Sequence, residues 1–112
     1  MSLADRLREQ RKVTVKVGDL TFHARRATIE EFSRYALDRI LDSEVSRLHV
    51  TDWNNVKECD IIDGGSKEII PFDRDVFVEV IGDKPEWFSA IAKEVLSDAI
   101  RRISEKVNNE KK

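Results

Sequence analysis

Few residues of this 112-residue chain could do chemistry: His23, His49, Cys59, and the Gly64-Gly65 turn bordered by Asp63 and Ser66. Histidine works as a general base or a metal ligand near neutral pH, and a cysteine thiolate as a nucleophile. Neither histidine has a second His or a Cys at metal-ligand spacing. Cys59 stands between Glu58 and Asp60, the opposite of the electropositive surroundings that activate a thiol. Gly64-Gly65 has neither the strand–loop–helix setting nor the Lys-Ser/Thr of a phosphate loop, and Asp63-Gly64-Gly65-Ser66 is too short for a calcium loop. His23 falls on the polar side of an alternating stretch. His49 closes a helical one, where a cation suits the helix dipole. Both are expected in structural or surface roles, so the reading is of a protein with no catalytic residue, no metal and no cofactor.

Composition narrows the classes of partner. The chain is 38% charged against roughly 25% for ordinary globular domains, so its helices carry heavily solvated faces. Twenty basic residues against twenty-two acidic ones leave a net charge of -2. Nucleic-acid binders rely on a basic excess, and none is expected here. The local clusters Arg8-Glu9-Gln10-Arg11-Lys12, Arg25-Arg26 and Arg101-Arg102 each lie close to acids. One cysteine excludes an internal disulfide and fits a reducing compartment. With no apolar run near the ~20 residues of a membrane helix and no signal-peptide stretch, a cytoplasmic protein without membrane contact is expected.

The elements that would position any site follow from periodicity. Residues 1–12 carry Leu3 and Leu7 as their only apolar pair and read as a short helix or a mobile arm. Over 13–25, Val13, Val15 and Val17 alternate with polar residues, as do Leu20, Phe22 and Ala24 after Gly18-Asp19. Glycine in the first central position suits a type II′ hairpin turn. The register then pairs Val17 with Leu20, Val15 with Phe22 and Val13 with Ala24, all on one face. Thr28 and Glu31 form a capping box. It opens a predicted helix over 28–48 with Ile29, Phe32, Ala36 and Ile40 in its stripe and Leu37, Leu41, Val45 and Leu48 alongside.

Residues 50–71 read as a long irregular loop holding Trp53 and Val56, which sit three apart like a single helical turn. A second small hairpin through Ile61-Ile62 and Ile69-Ile70 is the alternative. Pro71 and Phe72 precede Asp73, which caps a helix over 73–81 while Phe72 staples onto Phe77. Gly82 ends that helix, and Pro85 opens the last one, over 83–107. Trp87, Phe88, Ile91, Val95, Ile100 and Ile103 mark its stripe, and 108–112 form a frayed tail. The expected fold is α+β, mainly α: one domain with an N-terminal β-hairpin packed on about three helices. The last stripe is longer than the other elements need. Either it completes the chain's own core, or it joins the hairpin face (Val13, Val15, Phe22) in contacting other subunits or partners.

In this order the elements resemble a known family. The hairpin leads into Thr28-Ile29-Glu30-Glu31-Phe32, followed by Trp53-Asn54-Asn55-Val56, Gly64-Gly65, Ile70-Pro71-Phe72-Asp73 and Lys84-Pro85-Glu86-Trp87-Phe88. Across nearly its whole length the chain is similar to the tail assembly chaperones of long-tailed, siphovirus-type bacteriophages and prophages. That resemblance implies a mostly helical protein that forms rings or spirals in the host cytoplasm and is absent from the mature virion. It implies binding to the tape measure protein, which is kept soluble until tail tube subunits polymerise around it. It also implies a longer, frameshifted form, with which Glu110-Lys111-Lys112 is compatible. Two rival readings are an antitoxin-like adaptor that dimerises through its hairpin and an accessory subunit of a larger enzyme.

Overall fold

The computed structural model describes residues 1–110, with side chains through Lys106. The fold is α+β and mainly helical, with a three-stranded antiparallel sheet laid on the longest helix. Helix α1 (Leu3–Gln10) is capped by Ser2, whose Oγ accepts from the Asp5 N–H, and none of its residues is buried. Strands β1 (Lys12–Val17) and β2 (Leu20–Arg25) form the hairpin in the predicted register, Val13 with Ala24, Val15 with Phe22 and Val17 with Leu20. Gly18 has φ +59° and Asp19 a negative φ. This is the type II′ pattern, which only glycine enters without a Cβ clash.

The predicted single helix over 28–48 is two helices, α2 (Ile29–Asp38) and α3 (Asp42–His49). Between them Arg39 is left-handed, φ +54°. Its N–H donates to the Ala36 carbonyl, and the Ile40 N–H donates to the Tyr35 carbonyl at 3.0 Å. These are the two bonds of a Schellman termination, made here without glycine. The break changes which residues face inward. Tyr35, Val45 and His49 are buried, whereas Leu37 and Leu41 are 82% and 70% exposed, with Ile29, Ala36 and Leu48 exposed too.

The loop expected over 50–71 also holds regular structure. Strand β3 (Val50–Asn54) pairs antiparallel with β2, placing Phe22 opposite Trp53 and Ala24 opposite Val50. Two residues on β2 thus span three on β3, which is a β-bulge. It turns Val50 and Trp53, three apart, onto the same inner face. Trp53 therefore lies in a strand, not in a helical turn. After it come α4 (Glu58–Ile61) and an isolated bridge from Lys57 to Ile69. Ile61 is helical, so the alternative hairpin through Ile61-Ile62 does not form.

Helix α5 (Arg74–Val80) starts as predicted. Asp73 Oδ1 accepts from the Asp75 and Val76 N–H groups, and Phe72 packs on Phe77 with centroids 6.0 Å apart. A 3₁₀ turn (Ile81–Asp83) leads into α6 (Pro85–Glu110), about 39 Å long at 1.5 Å per residue. The frayed tail expected over 108–112 is thus helical to Glu110, and Lys111 and Lys112 lie outside the described residues.

Core packing explains this arrangement. Phe22 from β2 meets Trp87 of α6 and Phe77 of α5, while Trp53 of β3 packs on Phe72 and Phe77. The Trp53 indole N–H donates to the Ile70 carbonyl at 3.0 Å, which ties together the two ends of the mostly exposed segment 54–70. Along α6, Trp87, Ile91, Ala92, Val95 and Ala99 are buried. Beyond Ala99 the helix outruns the rest of the domain.

Candidate functional site

Two features combine position and chemistry: a polar network around the buried His49, linking the first turns of α2 to the end of α3 and to β2, and an apolar surface along α6. The network begins with the cap of α2. Glu31 Oε1 accepts the Thr28 N–H at 3.0 Å, and the Glu31 N–H donates to Thr28 Oγ1. The same carboxylate takes a bidentate pair of bonds from Arg25 of β2, at 2.7 and 2.8 Å. Bidentate guanidinium–carboxylate pairs are strong, and this one holds the Glu31 carboxyl at about 2, well below its ordinary 4.5.

One turn further along α2, Tyr35 Oη lies 2.7 Å from His49 Nε2 and 3.4 Å from Glu31 Oε2. The other ring nitrogen of His49, Nδ1, lies 2.6 Å from the Arg25 carbonyl. His49 is 1% exposed, which corrects any surface role at the helix end. Burial pushes its basicity below the ordinary 6.5, with the Arg25 charge adding to that. The bond to the Arg25 carbonyl and the Glu31 charge oppose the shift. His49 is a buried structural group among polar partners, brought together by the break at Arg39.

The apolar surface lies along α6 and reaches the start of α3 at Asp42. A groove of about 380 Å³ runs along α6 past Ala92, Leu96 and Ile100, with Asp42, Lys93 and Arg101 supplying charge at its margins. Ile100 is 47% exposed. Leu41, next to Asp42 in sequence, and Leu37 are both exposed. On the other flank of α6, Asp98 binds Arg26 at 3.0 Å, Arg101 at 2.7 Å and Arg102 at 2.9 Å. The Arg26 link ties the end of β2 to the helix, and the Arg101 hydrogen bond leads the causes that lower the Asp98 carboxyl.

The predicted contact residues divide accordingly. Val15, Phe22, Trp87, Ile91 and Val95 are buried in the core of one chain, so they are not available to a partner. Their apolar spacing reflects the sheet–helix seam. Val13, Phe88 and Ile103 are half-buried, and Ile100 is exposed. Among the predicted structural residues, Thr28, Glu31 and Asp73 make their caps, Trp53 and Phe77 are buried, Phe72 is half-buried and Pro71 is exposed. The open leucines, Leu37 and Leu41, belong to the stripe that their spacing predicts to be buried. Their i, i+4 spacing was visible, but the helix break that turns them outward carries no glycine signal.

The remaining reactive groups stand apart. Cys59 is exposed and borders a cleft of about 430 Å³ with Asp60, Asp83 and Glu86. His23 Nε2 contacts Asn54 Oδ1 on the outer face of the sheet. Among the described residues no group of three or more His, Cys, Asp or Glu side chains is placed to hold a metal ion, and no helix is long and apolar enough to cross a membrane. Comparison with known proteins adds no relative, for no family model, curated protein or solved structure matches the chain.

Proposed function

We propose that the chain is a holding protein of phage tail assembly, a non-catalytic chaperone that binds the tape measure protein and keeps it soluble. Through a longer frameshifted form it helps to recruit tail tube subunits. The observation that carries the reading is the apolar groove along α6 at Leu96 and Ile100, together with the exposed side chains of Leu37 and Leu41 at the α2–α3 turn. Apolar grooves of this kind take an amphipathic helix through residues at i, i+3, i+4 and i+7. A long helical partner repeats such faces many times. Copies of the chain acting together on it gain avidity without tight single contacts. The order of elements that resembles the tail assembly chaperones supports the same reading.

Co-expression with a tape measure protein from the same genome tests the proposal. The wild-type chain is expected to bring that protein into the soluble fraction as a complex, and the double variant Leu41→Asp/Ile100→Asp to lose it. A tape measure protein equally soluble with wild type, variant or neither removes the reading. The coding sequence is expected to hold an A-rich slippery run near its 3′ end. Without one the frameshifted form falls, and the tube-recruiting role with it.

One observation favours a second reading, an adaptor that dimerises through its hairpin. In the order β1-β2-β3, strand β1 lies at the sheet edge. Lys12 and Lys16, both exposed on that strand, oppose edge pairing. A dimer that survives the two aspartates in the groove, together with a salt-dependent shift of DNA, would favour the adaptor.

A further inference from the structure

A carbonyl oxygen only accepts, so the 2.6 Å contact to the Arg25 carbonyl requires a hydrogen on His49 Nδ1. The neutral ring then presents a bare lone pair at Nε2, and the Tyr35 hydroxyl 2.7 Å away must donate to it. That hydroxyl has one hydrogen, so it then makes no bond to Glu31 Oε2, 3.4 Å away, which keeps its bond from Arg25. If Nε2 gains a proton the roles reverse. The imidazolium donates to Tyr35 Oη, and the Tyr35 hydrogen turns onto the Glu31 carboxylate. Tyr35 keeps its own proton throughout.

We propose that the Tyr35 hydroxyl is a two-position relay between His49 and Glu31, which satisfies the buried ring in both protonation states and ties its charge to the cap of α2. The groups facing His49 fit such a device. From β2 comes Arg25, which holds Glu31 in place. From α2 come Glu31, with Oε2 3.9 Å from Nε2, and Tyr35, on which the Arg34 charge also acts. From α5, Arg74 donates to the carbonyls of Arg47 and Val50 on either side of His49. A neutral imidazole has one donor and one acceptor nitrogen and the imidazolium two donors, so a change of protonation state demands that one partner reverse its role. Here each state has a full set of partners. The terminus of the relay is the residue that caps α2, so acidification is transmitted to the helix bearing Leu37.

Nitrogen-detected NMR of the full chain, with His23→Gln simplifying the spectrum, tests this directly. The wild-type ring is expected in the Nδ1–H tautomer above neutral pH, and an Nε2–H tautomer overturns the proposal. Tyr35 is the chain's only tyrosine, so its ultraviolet Raman doublet is unambiguous. The doublet is expected to change with the same midpoint as the His49 resonances, and a constant doublet across that titration overturns the proposal. The sign of the Tyr35→Phe effect separates relay from fixed donor. Charge-assisted bonds are roughly twice as strong as neutral ones, so loss of a relay lowers the His49 midpoint by about half a pH unit or more. A hydroxyl that only donates to the neutral ring gives the opposite shift, and a raised or unmoved midpoint rejects the relay. Should Tyr35→Phe not fold, the two wild-type measurements decide.

Discussion

Phe22 and Trp87 meet with ring centroids 5.1 Å apart and planes inclined at 51°, and this contact joins the sheet to α6. Both rings are buried, and Phe22 also touches Phe77. Phe22→Ala removes the centre of the cluster and is expected to destabilise the fold by about 3–5 kcal/mol. A double-mutant cycle with Trp87→Leu, followed by urea denaturation, should show coupling of about 1 kcal/mol. Additivity of the two substitutions would place the seam elsewhere.

Acid is expected to destabilise the chain in two separate steps. His49 is a base whose folded value lies below its ordinary 6.5. The unfolded chain therefore binds its proton first, and stability is complete above about 6.5 and declines as pH falls below it. Glu31 is an acid held at about 2 against 4.5. Its contribution is complete above 4.5 and is lost as pH falls from there toward 2. Urea midpoints measured from pH 8 to pH 3 should decline gently at first and more steeply below 4.5. Glu31→Gln is expected to cost about 2 kcal/mol at pH 7 and to flatten the second limb, while loss of the charge that favours the His49 cation deepens the first. A variant that retains the steep limb would assign it to another carboxylate, with Asp98 the first to examine.

Arg39 occupies a backbone conformation that suits glycine. A left-handed residue with a Cβ costs roughly 1–2 kcal/mol, and glycine returns about 0.5–1 of that through the entropy of the unfolded chain. Arg39 is exposed. Arg39→Gly is therefore expected to raise stability by about 0.5–1 kcal/mol in thermal or urea melts. The same exchange at Asn55, φ +66°, should yield less, because asparagine enters this region more readily. Loss of stability in Arg39→Gly would mean that the arginine side chain holds the corner.

These positions also show what could be read from the chain before folding. The hairpin register was legible because alternation and Gly18-Asp19 are independent local signals that agree. The caps at Thr28 and Asp73 were legible because a cap involves only its own first turn. Strand β3 was not, since its bulge spaces Val50 and Trp53 like a helix. The break at Arg39 was not, since no glycine marks it and the apolar spacing continues across it. The His49 network was hidden for the same reason: Tyr35, Glu31 and the Arg25 carbonyl converge on the ring only once α2 and α3 are separate helices. The outer groove was half legible. Ile100 and Ile103 were identified as contacts, while Leu37 and Leu41 were assigned to the interior.

The last prediction concerns self-association along the part of α6 that outruns the core. Ile100 is exposed, so a charge there disturbs little inside the chain. Substitutions of exposed residues usually change stability by no more than about 0.5 kcal/mol. An oligomer built on this surface would instead bury the new carboxylate, at a cost of several kcal/mol unless it is paired. Ile100→Asp should therefore leave the melting profile nearly unchanged while reducing the particle size seen by light scattering. Val95→Asp is the contrasting control, since Val95 is fully buried and the variant should fail to fold. A wild-type chain that is strictly monomeric, with an Ile100→Asp variant of identical size, would limit the stripe to its own domain and leave the groove to a different protein.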